Sequence, residues 1–443
     1  MSNNENNEIR DSFTSKTGFI LACIGSAVGM GNIWLFPYRV GQFGGAAFLI
    51  PYIIFIVLLG YTGLMGEFAF GRMTQTGPIG SFKKALETKN KNWGGFLGII
   101  PVVGAFGIAV GYAVVVGWFL RFLGGFITGS AMSAADSGAY FGELASPFGS
   151  IIWHLLALIL VSIVLISGIS KGIETMNKIM MPAFYILFVI VMVRVLMLDG
   201  AFEGIKYLVV PKWSSLMEPK TWIYALGQAF FSLSLAGSGM IVYGSYLKRD
   251  VDIMSSAKNT VIFDTLGAFL AGLVIIPAVF AFNLDPASGP PLLFITIPSV
   301  FKLMPFGRLF GVIFFISVLF ASITSLMNLL EVPIEAVQST FKLKRKLSVF
   351  IVVGAAFIFG LFAEDGNNLG VLMDFVSIYI IPIGAFIAAV MFFWVIGIEK
   401  AKYEIECGTD KKLGKLFEIS AKYVFVFLTI FVFIAGILLG GIG

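Results

Sequence analysis

Long apolar segments follow one another along almost the whole chain. Eleven of them reach or approach the roughly 20 residues that a helix needs to cross a bilayer. They cover 17–39, 43–70, 94–127, 149–167, 175–198, 221–247, 258–283, 307–339, 348–363, 368–397 and 417–441. Only 12% of the 443 residues are charged, about half the share found in soluble domains. The sequence therefore predicts an all-α polytopic membrane protein with 11 transmembrane helices, forming one domain over 1–443 in the lipid bilayer.

Basic residues indicate the orientation of the spans. Lys and Arg concentrate in alternate loops, as in KLKRK at 342–346, whereas the loop at 128–148 has none. Because cytoplasmic loops are enriched in Lys and Arg, the N-terminus is expected in the cytoplasm and the C-terminus outside. The polar start of the chain predicts no signal peptide. The proline-broken segment 285–301 is predicted to be an outer loop with a short helix.

The polar residues argue against several classes of function. The net charge of +5 comes from short loops between spans, so no nucleic-acid partner is expected. One histidine, His154, and two distant cysteines, Cys23 and Cys407, provide neither a zinc site nor a disulfide framework. An intramembrane enzyme needs a nucleophile with its base or a set of metal ligands, and a channel needs a repeated filter or a charged ring. Neither pattern is present, so we expect neither an enzyme nor a channel.

Two spans carry glycines and small polar residues at mid-membrane. The first contains GSAVGMGN at 25–32 and the sixth contains FFSLSLAGSGM at 230–240. One such stretch alone is more simply explained by close packing of helices. Two of them, five spans apart, indicate inverted repeats whose broken helices line a central site. Unwound carbonyls there can hold a dehydrated cation, and half-helix N-termini can hold a carboxylate.

Four features together resemble the neurotransmitter:sodium symporter family. They are GSAVGMGNIWLFP at 25–37, GQAFFSLSL at 227–235, the group Ala321, Thr324 and Ser325, and Asp374. The resemblance covers nearly the whole chain and is closest to bacterial eleven-span carriers of tyrosine, tryptophan and other hydrophobic amino acids. It implies the LeuT-type 5+5 inverted-repeat fold with helices 1 and 6 broken at mid-membrane. The repeats would cover about 17–198 and 221–397, followed by an extra helix at 417–441.

The resemblance also implies a function. The chain would be a sodium-coupled symporter that imports an α-amino acid by alternating access across a bacterial inner membrane. Two sodium ions would bind together with the substrate. A sodium- or proton-coupled carrier of another small solute on the same fold is the alternative. No oligomeric state is predicted.

The resemblance assigns residues to three sites. The first sodium site would comprise Ala27, Asn32, Ser232 and Asp264, together with the substrate carboxylate. The second would comprise Gly25, Val28, Ala321, Thr324 and Ser325. The substrate site would comprise Ala27, Gly29, Met30, Gly31, Ile108, Tyr112, Phe231, Ser232, Ser234, Gly237, Ser325 and Leu329. Tyr112 would donate its hydroxyl to the carboxylate, and Phe231 would close over the substrate from outside.

Several of these residues also have simpler interpretations. Thr324 and Ser325, taken alone, suit hydrogen bonds to the preceding turn of their own helix. Tyr112 and Phe231, taken alone, suit ordinary packing. Only the combination of these residues in register with the family motifs favours the binding roles.

Asp264 indicates a functional site independently of the resemblance. A carboxylate inside a span is costly, and the alternative is a side chain that reaches the cytoplasmic interface. The family usually has Asn at this position, and its chloride-independent members can carry Glu where this chain has Ala268. We therefore expect Asp264 to supply the fixed negative charge that chloride supplies in animal relatives, so that no chloride is required.

The outer gate departs from the family pattern. Leu35 stands where many relatives have the Arg that pairs with an acidic residue, here Asp374. Arg39, one turn further out, is the candidate replacement for that Arg. Water or the substrate is the alternative partner of Asp374.

The inner gate also departs from the family pattern. Arg10 matches the family's N-terminal Arg, and Phe13 stands where Trp is usual. The acidic partner of that Arg is replaced by Ser339. Glu335, one turn earlier, is therefore a weak candidate to pair with Arg10.

Two glycines bear on the identity of the substrate. Gly29 stands where monoamine carriers have an Asp, so the substrate would need a carboxylate of its own, which favours an α-amino acid. Gly237 replaces a bulky residue that lines the family's pocket. The freed space favours an aromatic or large aliphatic amino acid, unless a neighbouring side chain fills it.

Overall fold

The computed structural model describes residues 11–235, 238–286 and 292–442. All longer regular elements within these ranges are helical. Eight helices are long and apolar enough to cross a membrane, and Lys16–Ala27 with Gly31–Gln42 forms a ninth span that is bent by 50°. Two shorter candidates are Ile151–Ile166, and the pair Pro219–Ser232 and Gly239–Gly244. Each of the eleven predicted spans therefore has a helical counterpart.

The spans, numbered in chain order, have the following bounds. They are span 1 (Lys16–Ala27, Gly31–Leu35, Phe36–Gln42), span 2 (Ala46–Thr74), span 3 (Gly94–Thr128), span 4 (Ile151–Ile166), span 5 (Ile169–Leu196), span 6 (Pro219–Ser232, Gly239–Gly244), span 7 (Ile253–Ala281), span 8 (Gly307–Phe341), span 9 (Arg345–Phe362), span 10 (Gly366–Glu406) and span 11 (Lys415–Leu439). Short connecting helices are Pro78–Glu87, Ser130–Ser133, Ser137–Leu144, Ala201–Val209, Trp213–Leu216 and Thr296–Leu303. The last of these is the short helix expected in the loop 285–301.

Span 5 begins earlier than the apolar pattern indicates. The sequence predicts a start at residue 175, whereas the chain is already helical from Ile169, as a π-helix over Ile169–Glu174. Gly168, at φ 89°, begins this segment. The buried carboxylate of Glu174 accepts hydrogen bonds from Thr14 and Ser15 before span 1. The polar segment Ile169–Glu174 thus adds a helical turn to span 5 that hydropathy does not predict, and its Glu174 is held by a contact with the N-terminal segment.

Spans 3 and 8 form the centre of the bundle. In each, 67% of the most apolar window is buried, compared with 28% in span 9 and 33% in spans 5 and 11. Large apolar side chains on the outer spans are exposed, among them Ile152, Ile186, Phe350 and Phe427. Exposed apolar surface of this extent suits contact with lipid. The broken spans 1 and 6 pack against this centre and carry the site.

Candidate functional site

The break in span 1 exposes backbone groups that side chains of the same site satisfy. Val28 has extended backbone angles (φ −73°, ψ 101°) and ends the first half-helix. The Gly29 N–H donates to Asn32 Oδ1 at 3.3 Å, and the Met30 N–H donates to the Tyr112 hydroxyl at 3.0 Å. Because lipid cannot bond such groups, a break at this depth persists only where protein or a ligand pairs with it.

The break in span 6 lies against the break in span 1. Ser234 and Ser238 have φ of 52° and 54°, in the left-handed region. The Ser234 hydroxyl donates to the Ser26 carbonyl at 2.8 Å. The Gln228 amide donates to the Gly31 carbonyl at 2.8 Å. The two predicted breaks are thus confirmed, and side chains of span 6 bond directly to the unwound carbonyls of span 1.

A cavity of about 100 Å³ lies between the two breaks. Its lining comprises Ser26, Ala27, Gly29, Met30, Gly31, Ala105, Ile108, Tyr112, Phe231, Ser234, Gly239, Ser325, Asn328, Leu329, Val332 and Ile381. Most of the residues predicted for the substrate site are in this set. Ser232 lies beside it in the cluster around Asp264, and Gly237 lies outside the described residues.

The cavity has one polar end and one apolar wall. Gly29 sits at the polar end, where an added Cβ would come within 2.5 Å of both the Ser325 Oγ and the Tyr112 hydroxyl oxygen. Ile108, Leu329, Val332 and Ile381 form the apolar wall. No Asp, Glu, Lys or Arg lines the described part of the cavity. A ligand with one polar end and no net charge matches this division.

Asp264 is fully buried within span 7. Its carboxylate accepts from Asn32 Nδ2 at 2.8 Å and from Ser232 Oγ at 2.7 Å. The Tyr52 hydroxyl lies 3.3 Å from the same Ser232 oxygen. Among the residues that the structure describes, no basic side chain pairs with Asp264. Its side chain is not exposed to solvent, and a buried charge with only neutral partners suits a bound cation.

Residues predicted for the second ion site lie together where span 8 contacts the break in span 1. Ser325 Oγ lies 3.0 Å from the Gly25 carbonyl oxygen, 3.2 Å from that of Ser26 and 3.2 Å from that of Val28. Thr324 behaves differently, because its hydroxyl donates to the carbonyls of Phe320 and Ala321 in its own helix. The simpler interpretation, a hydrogen bond to the preceding turn of the same helix, therefore describes Thr324, whereas Ser325 bonds to span 1. The oxygens gathered here are neutral and hard, which suits an alkali cation better than a transition metal.

The candidate ion pair between Arg39 and Asp374 is not formed among the residues that the structure describes, which leaves water or the substrate as the predicted partner of Asp374. The Arg39 guanidinium lies over the Tyr224 ring at 4.3 Å from its centroid and donates to Gln42 Oε1 at 3.1 Å. Asp374 is exposed, and no salt bridge to it is found among the described residues. A cation–π contact with an aromatic ring competes with an exposed ion pair in energy.

The predicted inner gate is only partly within the described residues. Arg10 lies outside them. Phe13 is buried and packs edge-on against Phe19 and Tyr243, with ring centroids 5.2 Å and 5.6 Å away. Glu335 accepts from Thr76 Oγ1 at 3.3 Å, which joins the turn after span 2 to span 8 at this end.

A stronger ionic contact lies near Glu335, and it was not predicted from the sequence. Glu331 and Arg345 form a two-pronged ion pair with N–O distances of 2.9 Å and 2.7 Å, and the Tyr246 hydroxyl donates to Glu331 at 2.8 Å. Glu331 is a fully buried carboxylate within a span. The rule that singled out Asp264 applies equally to Glu331 and could have found it.

Asn328 was also missed as a cavity residue. It lies four residues after Thr324, which places both on one face of span 8. Its side chain is buried and lines the cavity beside Gly239. Helical spacing from the predicted ion ligands was therefore the signal that could have found it.

The comparisons with known proteins agree with this geometry. A sequence profile described as "Sodium:neurotransmitter symporter family" matches residues 10–132 and 141–439. The uncharacterized sodium-dependent transporter YhdH of Bacillus subtilis is 37% identical over 94% of both chains. The uncharacterized sodium-dependent transporter MJ1319 of Methanocaldococcus jannaschii is 33% identical over 91% of this chain and 86% of its own. The sodium-dependent serotonin transporter of Drosophila melanogaster is 28% identical over 96% of this chain and 76% of its own.

A solved structure extends the agreement to the fold. The crystal structure of MhsT in complex with L-phenylalanine superposes with a TM-score of 0.88 at 34% identity, covering 96% of this chain and 100% of that one. That protein has the LeuT fold, as does this chain. Such agreement over nearly the whole length, together with the two broken spans, shows that this chain belongs to the sodium:neurotransmitter symporter family and is a sodium-dependent, multi-pass membrane transporter.

Proposed function

We propose that this transporter imports a hydrophobic α-amino acid, aromatic or large aliphatic, together with sodium. The observation that carries the proposal is the cavity between the two breaks, with its hydroxyls and backbone at one end and its apolar wall. Sodium moving down its gradient would drive uptake by alternating access.

The polar end favours an α-amino acid over an amine. The Tyr112 hydroxyl accepts from the Met30 N–H and would donate its own proton to a substrate carboxylate. Gly29 provides no acidic side chain for an amine, and the space around it is occupied by Tyr112 and Ser325. A zwitterion carries one positive and one negative charge and is neutral overall, so it fits a lining that has no acidic or basic side chains.

The apolar wall favours a large hydrophobic side chain. Ile108, Leu329, Val332 and Ile381 offer van der Waals contact, and Phe231 borders the same space from span 6. MhsT, which is similar over almost the whole chain, was crystallised in complex with L-phenylalanine. Both observations support a substrate of aromatic size.

Two sodium ions would bind at the clusters described above. The first would use Ala27, Asn32, Ser232 and Asp264 with the substrate carboxylate, and the second would use the region around Gly25, Val28, Ala321, Thr324 and Ser325. Asp264 would supply the negative charge, so chloride would not be required. Because one ion and the substrate share ligands, each would raise the affinity for the other.

The transport cycle would use the two repeats at about 17–198 and 221–397 as counterparts. Spans 1, 2, 6 and 7 would rock against the remaining spans, opening the cavity to each side in turn. The distribution of Lys and Arg supports a cytoplasmic N-terminus and an outer C-terminus, in a bacterial inner membrane.

Uptake into proteoliposomes tests the proposal. An inward sodium gradient should drive accumulation of labelled phenylalanine, tyrosine, tryptophan or leucine, in chloride-free buffer, and replacement of sodium by potassium should abolish it. Equal uptake in potassium would contradict sodium coupling. Preference for a small or charged solute would overturn the assignment of the substrate.

A further inference from the structure

Asn177 in span 5 has a buried oxygen with no partner. The side chain is fully buried, and its Nδ2 donates to the Ile173 carbonyl at 2.8 Å. Its Oδ1 accepts no hydrogen bond from any residue that the structure describes. An acceptor buried without a partner costs free energy, so its retention in a folded protein calls for an explanation.

This oxygen lies against Gly25, which belongs to the predicted second ion site. A Cβ added to Gly25 would overlap the Asn177 Oδ1, and it would lie 2.9 Å from Thr324 Cβ and 3.1 Å from Thr324 Oγ1. The Asn177 amide oxygen therefore meets the Gly25 backbone where spans 1, 5 and 8 converge. Gly25 and Thr324 both belong to the set assigned to the second sodium ion.

We propose that Asn177 Oδ1 is an additional oxygen ligand of the second sodium ion, which rests on the proposed function. A neutral amide oxygen is a hard donor that adds no charge, as suits a monovalent cation. The bond from Nδ2 to Ile173 fixes the amide so that the oxygen faces the site, as outer hydrogen bonds do for metal ligands. Span 5 then joins spans 1 and 8 around the ion.

The position of Asn177 also links the ion to the start of span 5. Ile173 lies in the π-helical segment Ile169–Glu174, and its carbonyl is the group that Asn177 holds. A sodium ion bound at Asn177 would therefore add a restraint on this segment, and release of the ion would remove it.

Sodium binding to the full-length purified protein, without amino acid, tests the proposal. Asn177→Leu removes the oxygen at similar volume and should raise the half-saturating concentration of labelled sodium about tenfold. Asn177→Asp keeps an oxygen and should bind sodium at least as tightly as the wild type. Should Asn177→Leu fail to reach the membrane, Asn177→Ala carries the same expectation.

Two further variants separate this role from a structural one. Asn259 in span 7 also bonds to the residue four positions earlier, Ser255, so Asn259→Leu should leave sodium binding unchanged. Ser325→Ala should weaken sodium binding, because Ser325 touches three carbonyls of span 1. If Ser325→Ala weakens sodium binding but Asn177→Leu binds sodium like the wild type, the proposed ligand role of Asn177 is wrong, whereas the proposed function stands. Absence of sodium-dependent uptake in the wild type would overturn the proposed function and this inference with it.

Discussion

At the scale of single residues, Asp264 has the most demanding environment in the site. Its fully buried carboxylate is held by Asn32 and Ser232, which are neutral donors. Neutral hydrogen bonds offset only part of the cost of burying a charge. The cation proposed above would offset the remainder if it bound beside the carboxylate, and it would account for a buried acid inside a span.

Asp264→Asn should abolish most sodium-driven uptake in chloride-free buffer. The substitution keeps the shape and removes the negative charge, and we expect uptake to fall at least tenfold, because a ligand that balances the ion is lost. Addition of chloride should restore part of the activity, since the anion can supply the missing charge. Uptake is measured in proteoliposomes with gluconate or chloride as the anion. Chloride-free uptake at the wild-type rate would show that the charge of Asp264 is not needed.

The same scale shows what sequence reasoning could and could not predict. The glycine-rich string at 25–32 predicted the break, and the carboxylate rule predicted Asp264, because both signals are local. The contact of Arg39 with Tyr224 could not be predicted, because Tyr224 is remote in sequence. Asn177 gave no signal, since its role depends on the approach of span 5 to Gly25.

At the scale of elements, the N-terminal approach to span 1 is fastened to span 5. Glu174 accepts from the Thr14 N–H at 2.7 Å, from the Thr14 hydroxyl at 2.7 Å and from the Ser15 hydroxyl at 2.8 Å. Lys178 completes the charge balance from a partly exposed position, 2.7 Å from the carboxylate. The first half-helix of span 1, Lys16–Ala27, therefore moves away from span 5 only when these bonds break together.

Glu174→Gln should loosen this attachment. Hydrogen bonds to a charged group contribute about 1.5–3 kcal/mol each, so weakening them should speed amide exchange in the peptide covering residues 11–20 at least tenfold. Hydrogen–deuterium exchange read by mass spectrometry measures the change. Lys178→Ala serves as the control, because it leaves the bonds from Thr14 and Ser15 in place and should alter exchange only slightly. Equal effects of the two variants would contradict the attachment described here.

At the scale of the whole molecule, the helical bundle was more predictable than its site. Eleven apolar segments predicted the spans, because the length of a span is set by the membrane. The predicted start of span 5 was wrong, because the polar turn Ile169–Glu174, whose Glu174 bonds to the N-terminal segment, is helical although it is not apolar. The resemblance predicted the LeuT fold, and the superposition on MhsT confirms it.

Binding of sodium and of amino acid should be coupled reciprocally in the intact transporter. The factor by which saturating sodium raises affinity for phenylalanine should equal the factor by which saturating phenylalanine raises affinity for sodium, because both describe one coupling free energy. We expect a factor of about 5–150, the usual range for such coupling. Equilibrium binding of each labelled ligand to purified protein measures it. Independent binding of the two ligands would contradict the shared first ion site.

The bonds between the two breaks have a mechanical consequence. Ser234 and Gln228 of span 6 hold the carbonyls of Ser26 and Gly31 in span 1, so the two unwound segments are one joint with few independent degrees of freedom. We therefore expect this joint to oppose partial opening, in which sodium leaves span 1 while span 6 still holds the amino acid. If both bind as proposed, movement of sodium without the amino acid would be disfavoured, and the gradient would be used for transport of the amino acid.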